Sequence, residues 1–203
     1  PAFFLVARSF DINRPGTKIQ EIKGGVLGGI LKRGTLKVGD QIEIKPGTSM
    51  KKHGSFIYKT LNTKILSLHK GNQAVEEVVP GASISIETSL DPFLTKTDSL
   101  TGCVVSLKGM LPEIQYRIKL GIKLFDEVFG LRDSKTVEPL KTKELMMLSI
   151  NTTITVGVIE KISKNETELS LNIPIVAMKG DNAGVARNIE GHWRLIGWGE
   201  IIQ

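Results

Sequence analysis

A catalytic or metal centre in this chain would have to be drawn from three histidines (His53, His69, His192), one cysteine (Cys103) and two adjacent carboxylate pairs (Glu76-Glu77 and Asp126-Glu127). A zinc site needs ligands at short fixed spacings such as Cys-x-x-Cys, and neither that spacing nor His-x-x-x-His occurs. Adjacent carboxylates on an extended chain face opposite sides, so neither pair makes a general acid and its base. Cys103 sits in the apolar run Leu100–Leu107, where a packed, inert thiol is expected rather than a nucleophile. The sequence contains no Gly-x-x-x-x-Gly-Lys-Ser/Thr phosphate loop and no Gly-x-Gly-x-x-Gly after a strand. The expectation is a chain with no catalytic residues, no metal and no cofactor of its own.

Binding chemistry is better represented. The net charge is +6 over 203 residues, but it is concentrated: from Arg14 to Lys70 there are twelve Lys or Arg against Glu21, Asp40 and Glu43, so the remainder is slightly acidic. One-sided basic charge is the footprint of phosphate binding without sequence readout; a generic solvated basic surface is the alternative. A single cysteine excludes an internal disulfide and fits a reducing, cytoplasmic setting. The apolar start, Pro1 to Val6, is far shorter than the ~20 residues of a membrane helix and lacks a basic leader, so it reads as a first strand, with no membrane association expected. Starting in a strand without an initiating Met, the chain reads as a piece of something longer.

The elements that must position these side chains are strands. Aromatic residues are few at 5% while Val, Ile, Leu, Thr and Gly abound, and period-two alternation recurs at Leu36/Val38, Ile42/Ile44, Thr60–Leu68, Ser83–Ile86 and Ile114–Leu124. Turns are marked by Pro15-Gly16, Gly39-Asp40, Pro46-Gly47 and Pro80-Gly81. The pairs Gly24-Gly25 and Gly28-Gly29 flank Val26-Leu27. Glycine within a strand marks a bulge, a barrel corner or a close backbone approach, whether for barrel geometry alone or to make room for another domain or a nucleotide end. The basic segment Gly47–Lys59 reads as a mobile loop, and Phe125–Gly130 as either one helical turn or a loop. Further strands are expected at Glu144–Asn151, Thr153–Ile162, Glu168–Ile173 and His192–Ile201. The fold class is all-β, two β-barrels in series, with residues 1–95 in the first and 96–203 in the second.

The segment Val6–Gly16 (VARSFDINRPG), the paired glycines, Gly34–Gly47, Leu90-Asp91-Pro92 and above all Gly191–Gly199 (GHWRLIGWG) closely resemble the gamma subunit of eukaryotic and archaeal translation initiation factor 2. The likeness spans the whole chain but only the second and third domains of that family. The ending HWRLIGW is specific, whereas Gly34–Gly47 alone would fit elongation factor Tu and its relatives. Ile30 departs from the small hydroxyl residue expected after the second glycine pair, and Asn188 from an arginine expected beside Arg187.

That resemblance implies a role in delivering initiator methionyl-tRNA to the small ribosomal subunit, with GTP and Mg held in a GTPase domain that is missing here. It implies a heterotrimer in which the first barrel docks the alpha subunit, and the beta subunit is held through the missing domain. The first barrel would help to hold the methionylated acceptor end, and in eukaryotes an ATP-grasp assembly chaperone would engage the third domain. Carried onto this chain, Arg8, Gly24, Gly25, Gly28, Gly29, Gly39 and Asp40 fit the second-domain pattern, mostly as architecture. Arg33, His69 and Lys70 are the candidates for contact with tRNA. In the last domain Trp193 and Trp198 either fill the barrel core, or the segment presents Arg187 and Arg194 as anchors for a protein partner. Competing readings are the same domains of a selenocysteine-specific or Tu-type elongation factor, and an autonomous RNA-binding barrel.

Overall fold

The computed structural model describes residues 1–202 and forms two compact units, Pro1–Leu111 and Pro112 onward. The first contains β1 (Phe3–Phe10), β2 (Val26–Arg33), β3 (Leu36–Lys37), β4 (Gln41–Lys52), β5 (Ser55–Lys70), β6 (Gln73–Val75), β7 (Glu77–Val78), β8 (Ser83–Thr88) and β9 (Val104–Leu107). Strands β4-β9-β1-β2-β8-β5 pair in that order and close on themselves through β4–β5, with β6 added beside β5 and β3–β7 as a separate small pair. The second unit contains β10 (Gln115–Leu124), β11 (Leu145–Ile150), β12 (Thr153–Ile162), β13 (Thr167–Ile175), β14 (Asn182–Ile189) and β15 (His192–Ile201), closed in the order β10-β13-β12-β11-β14-β15. The all-β, two-barrel architecture expected from the alternation is the one observed.

Each barrel has its own core. In the first, Phe4, Val6, Leu27, Ile42, Ile44, Ile65, Leu68 and Ile86 point inward from alternate strand positions; in the second, Ile118, Leu120, Met146, Leu148, Ile159, Leu169, Val185 and Ile196 do so. Period two is what allows each strand to bury one face and hydrate the other. The glycine pairs serve this geometry: a Cβ on Gly24 would lie 1.7 Å from the Thr88 carbonyl oxygen, and one on Gly29 1.9 Å from that of Leu5. Only hydrogen fits where backbones approach so closely.

Three expectations change. The first unit runs to Leu111 rather than residue 95, because β9 is inserted between β1 and β4, Leu5 opposite Val104 and Ile42 opposite Leu107. Side chains pin the same stretch: the Ser9 hydroxyl accepts the Leu100 N–H (3.0 Å), Ser106 donates to the Ala2 carbonyl (2.6 Å), and the buried Glu43 carboxylate accepts the Leu111 N–H (2.7 Å). The stretch around the boundary expected at residue 95 folds as a 3-10 turn, Pro92–Asp98, capped by the Asp91 side chain and held to β1.

The segment Gly47–Lys59 is not an irregular loop. β4 and β5 continue past the barrel as a two-stranded ribbon, with Thr48 opposite Lys59 and Lys52 opposite Ser55, turning at His53 (φ 48°) and Gly54 (φ 84°). Two positive-φ residues make the hairpin turn whose twist suits antiparallel strands, here with histidine where asparagine is usual. The third change is β14, a strand over Asn182–Ile189 that is not among those expected from the sequence. Phe125–Gly130 is non-helical, and Glu127 bridges to Thr136.

Candidate functional site

Strand register brings a set of polar and aromatic side chains together on the outside of the first barrel. One row across four strands runs Ser67–Glu87–Val26–Phe10; the next runs His69–Ser85–Gly28–Arg8. Residues directly opposite one another share a face, so Ser67, His69, Ser85 and Glu87 stand beside Phe10 on one surface. Gly28 leaves that surface hollow, since a Cβ there would approach the Arg8 Cβ to 3.6 Å and the Phe10 ring to 3.7 Å. The result is a groove of about 270 Å³, to which Ile12, Lys23 and Gly71 also contribute.

Its chemistry suits a nucleoside. Phe10, 36% exposed, offers a ring face for stacking, and the Ser67 hydroxyl donates to Glu87 (2.9 Å), orienting that carboxylate as an acceptor for sugar hydroxyls. His69 and the Ser85 hydroxyl face each other across the β5–β8 pair and can each donate or accept.

Of the three residues singled out for tRNA, His69 lies in this groove and the other two do not. Lys70, next along β5, points to the opposite face and pairs with the core residue Ile84 at the barrel rim. Arg33 is five positions beyond Gly28 on β2, roughly 16 Å along the strand, opposite Phe3 and with its guanidinium 5.2 Å from that ring. Phe10, Ser85 and Glu87 were missed, although Ser83-Ile84-Ser85-Ile86-Glu87 alternates cleanly. The missing information was the pairing of β8 with β5 and β2, which is non-local.

A second depression on the first barrel, about 520 Å³, is lined by Ile19, Ile22, Leu66, Leu90 and Pro92. The excursion that carries Ile19 and Ile22 is stapled at its base by Asn13, whose amide donates to the Lys23 carbonyl (2.8 Å) and accepts the Lys23 N–H (2.7 Å). Asp11 accepts the Asn13 backbone and side-chain N–H groups, and these hydrogen bonds, helped by Lys96, hold its carboxyl below the ordinary aspartate range. Ile19 is 87% exposed on this base, an apolar surface that no other described residue covers.

In the second barrel Arg187 is engaged internally. Its Nε and one terminal nitrogen pair with Glu144, and its terminal nitrogens donate to the carbonyls of Glu138 (2.9 Å) and Pro139 (3.1 Å). It therefore ties the 125–144 excursion to the barrel, and all three nitrogens are occupied by this chain. Arg194, opposite it on β15, donates to the Gly130 carbonyl (3.2 Å) and keeps a buried Nε that has no partner among the described residues. The tryptophans do not fill the core. Trp193 and Trp198 are 36% and 38% exposed, and Lys123 lies over the Trp198 ring at 5.0 Å. Asn188 accepts the Gly191 N–H (3.0 Å) and so closes the β14–β15 turn.

Burial raises the Cys103 thiol to about 11, with the Gly47 carbonyl as its neighbour. Among the described residues no three His, Cys, Asp or Glu gather as a metal site, and no helix is long and apolar enough to cross a membrane.

Comparison with known proteins agrees with this two-part architecture. Residues 24–106 match the family described as elongation factor Tu domain 2, and residues 116–201 match the C-terminal region of initiation factor eIF2 gamma. Among curated proteins the chain is similar to translation initiation factor 2 subunit gamma of Methanocaldococcus jannaschii, 46% identical over 97% of this chain and 48% of the relative. The corresponding proteins of Thermococcus onnurineus and Pyrococcus furiosus are 43% and 44% identical over 99% of this chain and 49% of their own lengths. The chain thus spans about half the length of these relatives. A crystal structure of a bacterial selenocysteine-specific elongation factor superposes with a TM-score of 0.70 at 19% identity, covering 99% of this chain and 28% of that one, a likeness of fold.

Proposed function

Because the chain belongs to the gamma-subunit family of translation initiation factor 2, we propose that its barrels act as the second and third domains of a factor delivering initiator methionyl-tRNA to the small ribosomal subunit. The observation that carries this reading is the outer groove of the first barrel, where a stacking ring, a hydroxyl-seeking carboxylate and His69 converge in about 270 Å³. It fits the terminal adenosine of the tRNA acceptor end: the base on Phe10, the ribose hydroxyls on Glu87 and Ser85, with Lys23 toward a phosphate.

GTP and Mg would sit in a GTPase domain outside this sequence, which has no phosphate loop of its own, and the beta subunit would be held through that domain. The barrels are then the passive half of a switch. Nucleotide shifts such an equilibrium only by its differential affinity for two packings of the GTPase domain, so the chain alone should show neither full tRNA affinity nor GTP dependence. The apolar depression at Ile19, Ile22 and Leu66 supplies the first barrel with a seat for the alpha subunit. The second barrel would carry an assembly chaperone, with exposed Trp193 and Trp198 and the Arg194 edge better placed for it than Arg187. The setting is the cytoplasm.

Titration of the chain with purified alpha subunit, with initiator tRNA in parallel at two salt concentrations, tests this reading. Micromolar or tighter alpha binding, weakened at least tenfold by Ile19→Asp, together with weak, salt-sensitive tRNA binding, is the expected result. Tight tRNA binding without alpha binding would overturn it.

A further inference from the structure

We propose that Thr95, in the 3-10 turn Pro92–Asp98, is a positioning residue of the outer groove: its buried hydroxyl fixes the backbone of Phe10, so that the ring is held in place to stack on a terminal base. This rests on the acceptor-end reading of the groove, to which Phe10 supplies the phenyl ring.

Phe10 is the last residue of β1 and stands where strand support runs out. On one side it pairs with Val26 of β2. On the other, the β9 ladder ends at Leu5, and backbone bonds with Gly102 and Cys103 reach only as far as Val6, so the outer end of β1 would be an open edge. The 3-10 turn takes the place of the missing strand. It holds four consecutive residues: the Asp98 carboxylate accepts from Arg8 Nε (2.8 Å) and from the Ser9 N–H (3.0 Å), the Thr95 hydroxyl donates to the Phe10 carbonyl (3.0 Å), and the Lys96 ammonium pairs with Asp11 (3.6 Å). A stacking ring contributes only while it is kept close to its productive geometry.

Two features separate positioning from plain filling of the barrel end. Thr95 is fully buried, and its one hydroxyl proton faces two carbonyls at 3.0 Å, those of Phe10 and Pro92. The same atom thereby joins the start of the turn to the end of β1; a valine would fill the space and join nothing. Gly25 makes room for it, since a Cβ there would lie 2.4 Å from the Thr95 methyl carbon and 2.6 Å from its hydroxyl oxygen. The second feature is strain. Thr97 (φ 51°) and Asp98 (φ 57°) both lie in the left-handed region, an outlier for a β-branched residue such as threonine, and such conformations persist only where the surroundings hold them. The strained pair ends the turn at the point where Asp98 meets Arg8 and Ser9.

The test is fluorescence anisotropy of the 203-residue chain at about 50 mM salt with two labelled RNA stem-loops, alike except that the single-stranded 3′ tail ends in CCA or in CC. The native chain is expected to prefer the CCA tail by about tenfold, the contribution of one stacked base. Thr95→Val should bring that preference within about twofold, while Thr95→Ser, which keeps the hydroxyl, should retain it. Phe10→Ala should itself abolish the preference, and Thr95→Val added to it should change nothing further. Affinity for the CC tail should stay within about twofold throughout, which mere loss of folded protein would not allow. Should Thr95→Val not melt cooperatively, the charge-neutral pair Lys96→Gln/Asp98→Asn, whose side chains reach solvent, loosens the same turn from outside and is expected to lower the preference by at least about threefold. A preference that survives in Thr95→Val, a loss that Thr95→Ser shares, or an equal loss for both tails overturns the role of Thr95 and leaves the groove reading standing. No preference in the native chain overturns the groove reading, and the role of Thr95 with it.

Discussion

Arg187 shows how much one side chain can decide. The arginine was legible in the sequence as a charged group in a matching motif, a position that suits a partner anchor equally well. In the structure it makes a two-point pair with Glu144 and donates to two carbonyl acceptors from the 138–139 segment, all on this chain. Both side chains are largely shielded, so removing the guanidinium strands a carboxylate and two carbonyls. Arg187→Ala should therefore lower unfolding free energy by about 2–3 kcal/mol in urea titrations, while Arg187→Lys, unable to reach three acceptors in one plane, should recover only part of that. Arg194 makes a single carbonyl bond through a terminal nitrogen, so the same substitution there should cost less.

At the scale of elements, the 3-10 turn Pro92–Asp98 is clamped to β1 through Asp98, which accepts from Arg8 Nε (2.8 Å) and from the Ser9 N–H (3.0 Å). Those hydrogen bonds, the Arg8 one foremost, hold the Asp98 carboxyl below its ordinary value. A carboxyl lowered in the folded state contributes stability that is complete above the unfolded value of about 3.9 and is lost as pH falls through the lowered native one. Acid titration followed by amide exchange at Ser9 should show the turn loosening below about pH 4, and Asp98→Asn should abolish that step. The sequence made most of the strands legible because they alternate and carry their own turn residues, as Ser83–Thr88 does, whereas β14 does not alternate cleanly and was not anticipated. It did not disclose that the polar Thr95–Asp98 stretch is a clamp, or that Gly47–Lys59 is a ribbon. Polar residues look alike in a loop, a 3-10 turn and a two-faced hairpin, and what separates them is pairing with strands far away. For the same reason the sequence singled out His69 without Phe10 and Glu87, which line the same groove from β1 and β8.

At the scale of the whole molecule, each barrel owns a closed ring and a core, so each should fold alone. Residues 1–111 and 112–203, made separately, are expected to melt cooperatively, whereas 1–95 should not, because it lacks the strand that joins β1 to β4 and the Leu111 N–H that Glu43 accepts. Thermal circular dichroism of the three pieces decides it; a cooperative 1–95 would put the closure elsewhere. That closing strand has a consequence for the order in which the chain is made. Lys45, the last residue of β4 that β9 pairs with, precedes Leu107 by about sixty residues, and at roughly 5–20 residues per second synthesis takes about 3–12 s to cover that distance. Throughout that interval the nascent chain carries two unsatisfied strand edges with their apolar faces beside them, open to pairing with any neighbour. The seconds before β9 emerges are the time when the chain most needs to be shielded, and codons that hasten translation between β4 and β9 would shorten them.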